Sequence, residues 1–163
     1  GLKRLLSLCT LACLLLCLTG CHTAEQSGIP FYYCRDSAHY QYFQQDGVIR
    51  GEKRDLASHR NDLDYALGLY LAGPMTEGLS SPFPKNTQVI SIQYHDETLH
   101  LELSDLSRSL PDPEFTLACT CLTMTCMELL PCTQVTIVSA DRSITLNADS
   151  LLLFDAPQEE SNQ

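Results

Sequence analysis

Between Leu63 and Ile92 the chain changes its apolar period once, and that change constrains what can surround it. Leu63, Ala66, Leu67, Tyr70 and Leu71 recur at intervals of three and four residues, which predicts an amphipathic helix with one buried stripe. Asp62 and Asp64 stand at its start, where a carboxylate caps free N–H groups and meets the positive end of the helix dipole. Gly73 and Pro74 stop it, because glycine adopts a left-handed C-terminal conformation cheaply and proline cannot continue the ladder. A polar crossing punctuated by proline covers residues 75–86. Val89, Ile90, Ile92 and Tyr94 then take up the period of two that marks a strand.

Upstream, residues 29–35 (IPFYYCR) are aromatic-rich and predict a first strand. Tyr40, Tyr42 and Phe43 follow, then the turn signal Asp46-Gly47, and Val48 and Ile49 begin another short strand. The aromatic residues from Phe31 to Phe43 read as half core and half amphipathic cover, the alternative being a ligand face. Residues 51–61 form a polar approach to the central helix. Downstream, residues 89–94 and 98–103 alternate around His95-Asp96-Glu97 as a hairpin, and residues 104–114 form a loop carrying Pro111 and Pro113. Residues 115–130 predict a second helix ended by Pro131. Residues 135–139 and 144–146 predict a second hairpin around Asp141-Arg142, and residues 151–154 close the domain. The order β-α-ββ-α-ββ predicts an α+β fold, with two helices on one face of a mostly antiparallel sheet.

The 163 residues give room for one domain, expected over residues 29–155 and followed by a disordered acidic tail over 156–163. Without Lys3 and Arg4 the chain carries 8 basic against 20 acidic residues, a net charge of −12. That excess repels phosphate backbones and anionic headgroups, so no nucleic acid partner is expected.

Residues 1–20 read as a signal peptide. Lys3 and Arg4 precede a largely apolar run of 14 residues from Leu5 to Leu18, short of the roughly 20 that span a bilayer. The run ends in Leu18-Thr19-Gly20-Cys21, which resembles a bacterial lipobox. Small side chains before Cys21 admit a peptidase, and its thiol would carry the lipid, each buried CH₂ adding about 0.8 kcal/mol of membrane affinity. Cys21 is therefore the expected lipidation site. Residues 21–28 are read as a tether, long enough to hold the domain about 25 Å from the bilayer. The first residue is Gly1, so the natural start is expected to be trimmed or altered.

Five cysteines remain: Cys34, Cys119, Cys121, Cys126 and Cys132. The last four are spaced C-x-C-x₄-C-x₅-C, unlike the C-x₂-C pairs of zinc and iron–sulfur sites. On a helix Cys119 and Cys126 share a face and Cys121 points nearly opposite, so core filler is the main reading and no metal or cofactor is expected. A metal site on Cys119, Cys121, Cys126 and Cys132 is the alternative, together with a disulfide from Cys132 to Cys34 or to a helix thiol. The odd number leaves at least one free thiol in an exported chain and suits a reducing surrounding. His95 and His100 lie on or beside the first hairpin without a third metal ligand nearby.

Catalytic motifs are missing: there is no G-x-S-x-G, phosphate loop, G-x-G-x-x-G or H-E-x-x-H. The pair Asp62 and Asp64 is explained by capping, and Glu102 and Asp105 by a solvated strand edge and loop. A nucleophilic cysteine needs a base, for which His39 and His59 qualify by composition only. The chain is therefore expected not to be an enzyme.

LAGPMTEGLSSPFPKNTQVISI resembles the central signature of the GerMN domain of sporulation and spore-germination proteins. The matching positions are Leu71, Gly73, Pro74, Pro84, Thr87 and Val89. LELSDL (residues 101–106) and FTLACTCLTMTCMELLPCTQVTIV resemble that family's strand end, second helix and following strand. The resemblance implies a build similar to ring-building motif domains and a non-enzymatic assembly or interaction role on a lipoprotein. Partners would then be the cell membrane through Cys21 and envelope proteins or a second copy. The family characteristically carries two copies where this chain has one, and it offers no site residues to carry over.

Overall fold

The alternation of IPFYYCR is realised in β1 (Ile29–Arg35), which buries Ile29, Phe31 and Tyr33 and leaves Tyr32 and Cys34 half-buried. The structure, a computed structural model, describes residues 28–36 and 47–155, with residues 152–155 given by backbone alone. The expected leader and most of the tether, Cys21, His39, Tyr40, Tyr42, Phe43, Asp46 and the tail at 156–163 lie outside the described residues.

The architecture is α+β, as the element order implies, but the strands divide into two sheets. β1 is the middle strand of the first. It pairs antiparallel with β2 (Ile49–Arg54) on one side and with the two-residue β3 (Leu79–Ser80) on the other. β4 (Val89–His95) and β5 (Thr98–Leu103) form the expected hairpin. Asp96 and Glu97 turn it with positive φ of 49° and 58°, the left-handed pair that suits a tight two-residue hairpin. β6 (Gln134–Ser139) lies parallel to β5, and β7 (Arg142–Asn147) antiparallel to β6, giving the order β4-β5-β6-β7. The turn between β6 and β7 is Ala140-Asp141, one residue earlier than expected, with Ala140 at a φ of 54°.

The central helix, α1 (Leu63–Leu71), buries Ala66, Leu67, Tyr70 and Leu71. Asp62 caps it by accepting a hydrogen bond from the Tyr65 N–H at 3.0 Å. Gly73 takes a φ of 102° at its end, where a β-carbon would be strained. The Pro84-x-x-Thr87 spacing closes a turn. Both the main-chain N–H and the hydroxyl of Thr87 donate to the Pro84 carbonyl, at 3.1 and 2.8 Å. Pro84 and Thr87 thus have a local mechanical role.

α2 (Asp112–Leu129) begins three residues earlier than expected. Pro113 does not delay it, because a proline in the first turn forfeits an N–H that has no helical partner there. Leu130, preceding Pro131, is extended at φ −150° and ψ 154°, as the residue before a proline prefers. α2 supplies the long crossover that the parallel β5–β6 pair requires. A third helix, α3 (Ala148–Asp155), follows β7 where the sequence suggested only a closing segment.

The core joins both sheets. Phe31, Tyr33, Leu67 and Tyr70 are fully buried together with Leu99, Leu101, Val135 and Ile137. Tyr33 and Tyr70 stack at 4.9 Å with their rings 11° apart, and Phe31 meets Tyr70 edge-on at 5.8 Å.

Candidate functional site

In an antiparallel pair, the N–H and C=O of one residue point to the same side. At Tyr32 they point away from β2, beyond the reach of the short β3. Two helices satisfy them. The Tyr32 N–H donates to Thr125 Oγ1 of α2 at 2.9 Å, and the Tyr70 hydroxyl of α1 donates to the Tyr32 carbonyl at 2.9 Å. The Thr125 hydroxyl in turn donates a hydrogen bond to the Cys121 carbonyl at 2.9 Å. The side-chain hydroxyl of Tyr32 donates to Glu128 on the same helix at 3.2 Å. α2 therefore closes a strand edge that would otherwise be open.

That seam brings two thiols together. Cys34 Sγ of β1 lies 3.9 Å from Cys121 Sγ of α2. Cys34 is half-buried and Cys121 fully buried. The hydrogen bond from Cys121 lowers the Cys34 pKa, against burial, which raises it. The same contact and burial push Cys121 far upward.

This geometry does not gather the four thiols of the alternative reading around one point. Cys119 and Cys126 are buried along α2, Cys132 is half-buried beyond its end, and Cys121 pairs with Cys34. Among the described residues no three His, Cys, Asp or Glu side chains gather as a metal site would require. The nearest partner of Cys34 is a helix thiol and not Cys132. Burial pushes the Cys119 thiol up to about 12 and also raises Cys126 and Cys132. Cys34 is the exception, and nothing in the spacing of the cysteines singles it out.

Four of the remaining candidates have structural partners. His59 stacks on Tyr65 at 4.0 Å, and exposed His95 meets Asp96 at 3.1 Å. Glu102 accepts from Ser91 Oγ at 3.3 Å, and Asp105 from the Ser107 N–H at 2.9 Å. Sequence reasoning missed one buried carboxylate, Glu52 of β2. It accepts from the main-chain N–H groups of Met75 and Thr76 and, at 3.0 Å, from Arg54. Burial raises its pKa, but the hydrogen bonds from Thr76, Arg54 and Met75 prevail and hold it below the usual value. Glu52 pins the loop that follows Gly73-Pro74. Its charge inside IRGEKR made that strand look like a solvated approach.

Two surface features adjoin this signature. An open groove of about 440 Å³ runs between α1 (Asp64, Gly68, Leu71) and Lys85, Thr87 and Val89. Gly68 has nothing within 4 Å of where a β-carbon would stand, so it floors the groove without needing to. Beside it, β4 is the outermost strand of the second sheet and has no strand on its outer flank among the described residues. Ile90 is 58% and Tyr94 46% exposed there. Among the described residues no helix is long and apolar enough to cross a membrane.

A scan against models of known protein families finds no match. A search of curated proteins likewise finds no relative. Among solved structures the chain is similar to a candidate lipoprotein from Clostridium perfringens, crystallised at 2.5 Å. The two are 14% identical with a TM-score of 0.47, over 78% of this chain and 89% of the other.

Proposed function

We propose that this chain is a lipid-anchored envelope protein whose single GerMN-like domain is a non-enzymatic interaction module. It is held through Cys21 at the outer face of the cytoplasmic membrane. The GerMN-like signature, whose Gly73 and Thr87 both serve tight turns, links it to sporulation or germination envelopes.

The observation that carries this reading is the outer edge of β4. The strand VISIQYH contains no Asp, Glu, Lys or Arg in a chain whose formal net charge is −10, and it exposes Ile90 and Tyr94. Edge strands are usually blunted by charge, and an uncharged one offers main-chain hydrogen bonds to an incoming strand. A bulge between Val89 and Ser91 interrupts the register at its start, which leaves residues 91–95 as the regular pairing segment. The partner is a second copy or an envelope protein that adds a strand here.

Two measurements test the reading. Fatty-acid labelling in cells is expected to mark the parent and not Cys21→Ser. Cross-linking of native membranes, with light scattering of the detergent-solubilised protein, is expected to find a dimer or a stable envelope partner. An unlabelled Cys21, or a strict monomer without a cross-linked partner, overturns it, as does turnover of any substrate by the purified protein.

A further inference from the structure

We infer that Cys34 and Cys121 form a reversible disulfide site, oxidised by an external disulfide, that ties β1 covalently to α2. Their sulfurs lie 3.9 Å apart, and a disulfide requires about 2.05 Å, so a modest side-chain rotation closes the gap. No other described cysteine is so placed. Cys119 and Cys126 are wholly buried, and Cys132 follows the far end of the helix.

The unequal burial orders the chemistry. Cys34 is the less buried of the two, so its thiolate attacks one sulfur of the external disulfide R–S–S–R and expels one thiolate R–S⁻. Cys121, already in contact with Cys34, then attacks Cys34 Sγ and expels the second R–S⁻, giving up its proton to that leaving group. Two protein thiols become one disulfide, and one external disulfide becomes two thiols. The hydrogen bond from Cys121, which lowers the Cys34 pKa, favours the attacking form.

The placement gives the bond a purpose. β1 is the first described strand after the expected lipid tether, and α2 closes its edge through Thr125. The two cysteines are 87 positions apart, so the link closes a long loop and lowers the conformational entropy of the unfolded chain. An exported chain meets an oxidising surrounding, which forms the bond, and a reducing one releases it.

The test uses the full-length protein treated with oxidised glutathione or oxidised dithiothreitol, followed by alkylation and peptide mapping. The expected map contains a peptide pair joined through Cys34 and Cys121, lost on reduction, absent from Cys34→Ser and retained in Cys132→Ser. Oxidation is expected to raise the melting temperature by about 5–15 °C in the parent and not in Cys34→Ser. Pairing of Cys34 with any other cysteine overturns the inference. So does a Cys34 blocked by glutathione alone, or both thiols staying free under conditions that cross-link the urea-unfolded chain.

Discussion

The hydroxyl of Tyr70, on the helix, donates to the main-chain carbonyl of Tyr32, on the first strand, at 2.9 Å, across 38 positions of sequence. The reverse direction is also used, since the Tyr33 hydroxyl donates to the Tyr70 carbonyl at 2.8 Å. Removing one hydroxyl while keeping its ring takes a donor from a partly buried main-chain acceptor. Tyr70→Phe is expected to cost about 1–3 kcal/mol in urea unfolding. Amide exchange within β1 should accelerate along with it, and an unchanged midpoint would show that water replaces the lost donor.

Two threonines on one helix should respond in opposite directions. Thr125 accepts from the Tyr32 N–H, so Thr125→Val removes that acceptor and is expected to cost about 1–3 kcal/mol. Thr123 is fully buried, and its hydroxyl has no partner among the described residues. Thr123→Val removes an unpaid desolvation and is expected to add about 1 kcal/mol. Thermal melts of both variants beside the parent decide the matter, and two shifts of the same sign contradict the assignment.

Glu52 makes stability depend on pH. Its pKa in the folded protein lies below that of the unfolded chain, because hydrogen bonds from Thr76, Arg54 and Met75 outweigh its burial. Its contribution is therefore complete above the unfolded value of about 4.3 and disappears as pH falls through the lower folded value. Glu52→Gln should be less stable than the parent at neutral pH, with a shallower loss of stability on acidification. Urea midpoints collected from pH 3 to pH 7 measure this, and parallel curves for the two proteins would remove Glu52 from the acid response.

Ile90 separates association from folding. It is 58% exposed, so Ile90→Lys should change stability by less than about 0.5 kcal/mol. A charge placed on the β4 edge should nevertheless weaken association by about tenfold or more, read by light scattering or sedimentation. Association that survives the substitution moves the interface away from β4.

What could be read from the sequence follows from what is local. The stripe on α1, its Asp62 cap and its Gly73 stop each depend on neighbours within a turn or two, and the structure contains all three. The β4–β5 hairpin is likewise local. β2 escaped recognition beyond Ile49 because its polar residues serve distant groups, Glu52 reaching residues 75 and 76. β3 is two residues long and exists only because β1 offers it an edge, so no periodicity betrays it. The division into two sheets follows from β1 joining β2 and β3 instead of the hairpins. Burial of Cys119, Cys121 and Cys126 was readable from their apolar surroundings. The meeting of Cys121 with Cys34 depends on how α2 lies against β1, which no helical wheel records.

The position of α2 has a consequence for cooperativity. Through Thr125 and Cys121 it walls the first sheet, and through Phe115, whose ring lies 4.1 Å from the Arg142 guanidinium of β7, it also touches the second. Neither sheet owns a complete interior, so neither half is expected to fold as an independent fragment. Heat and denaturant should melt the domain in a single transition, and a cut within α2 is expected to destabilise both sheets together.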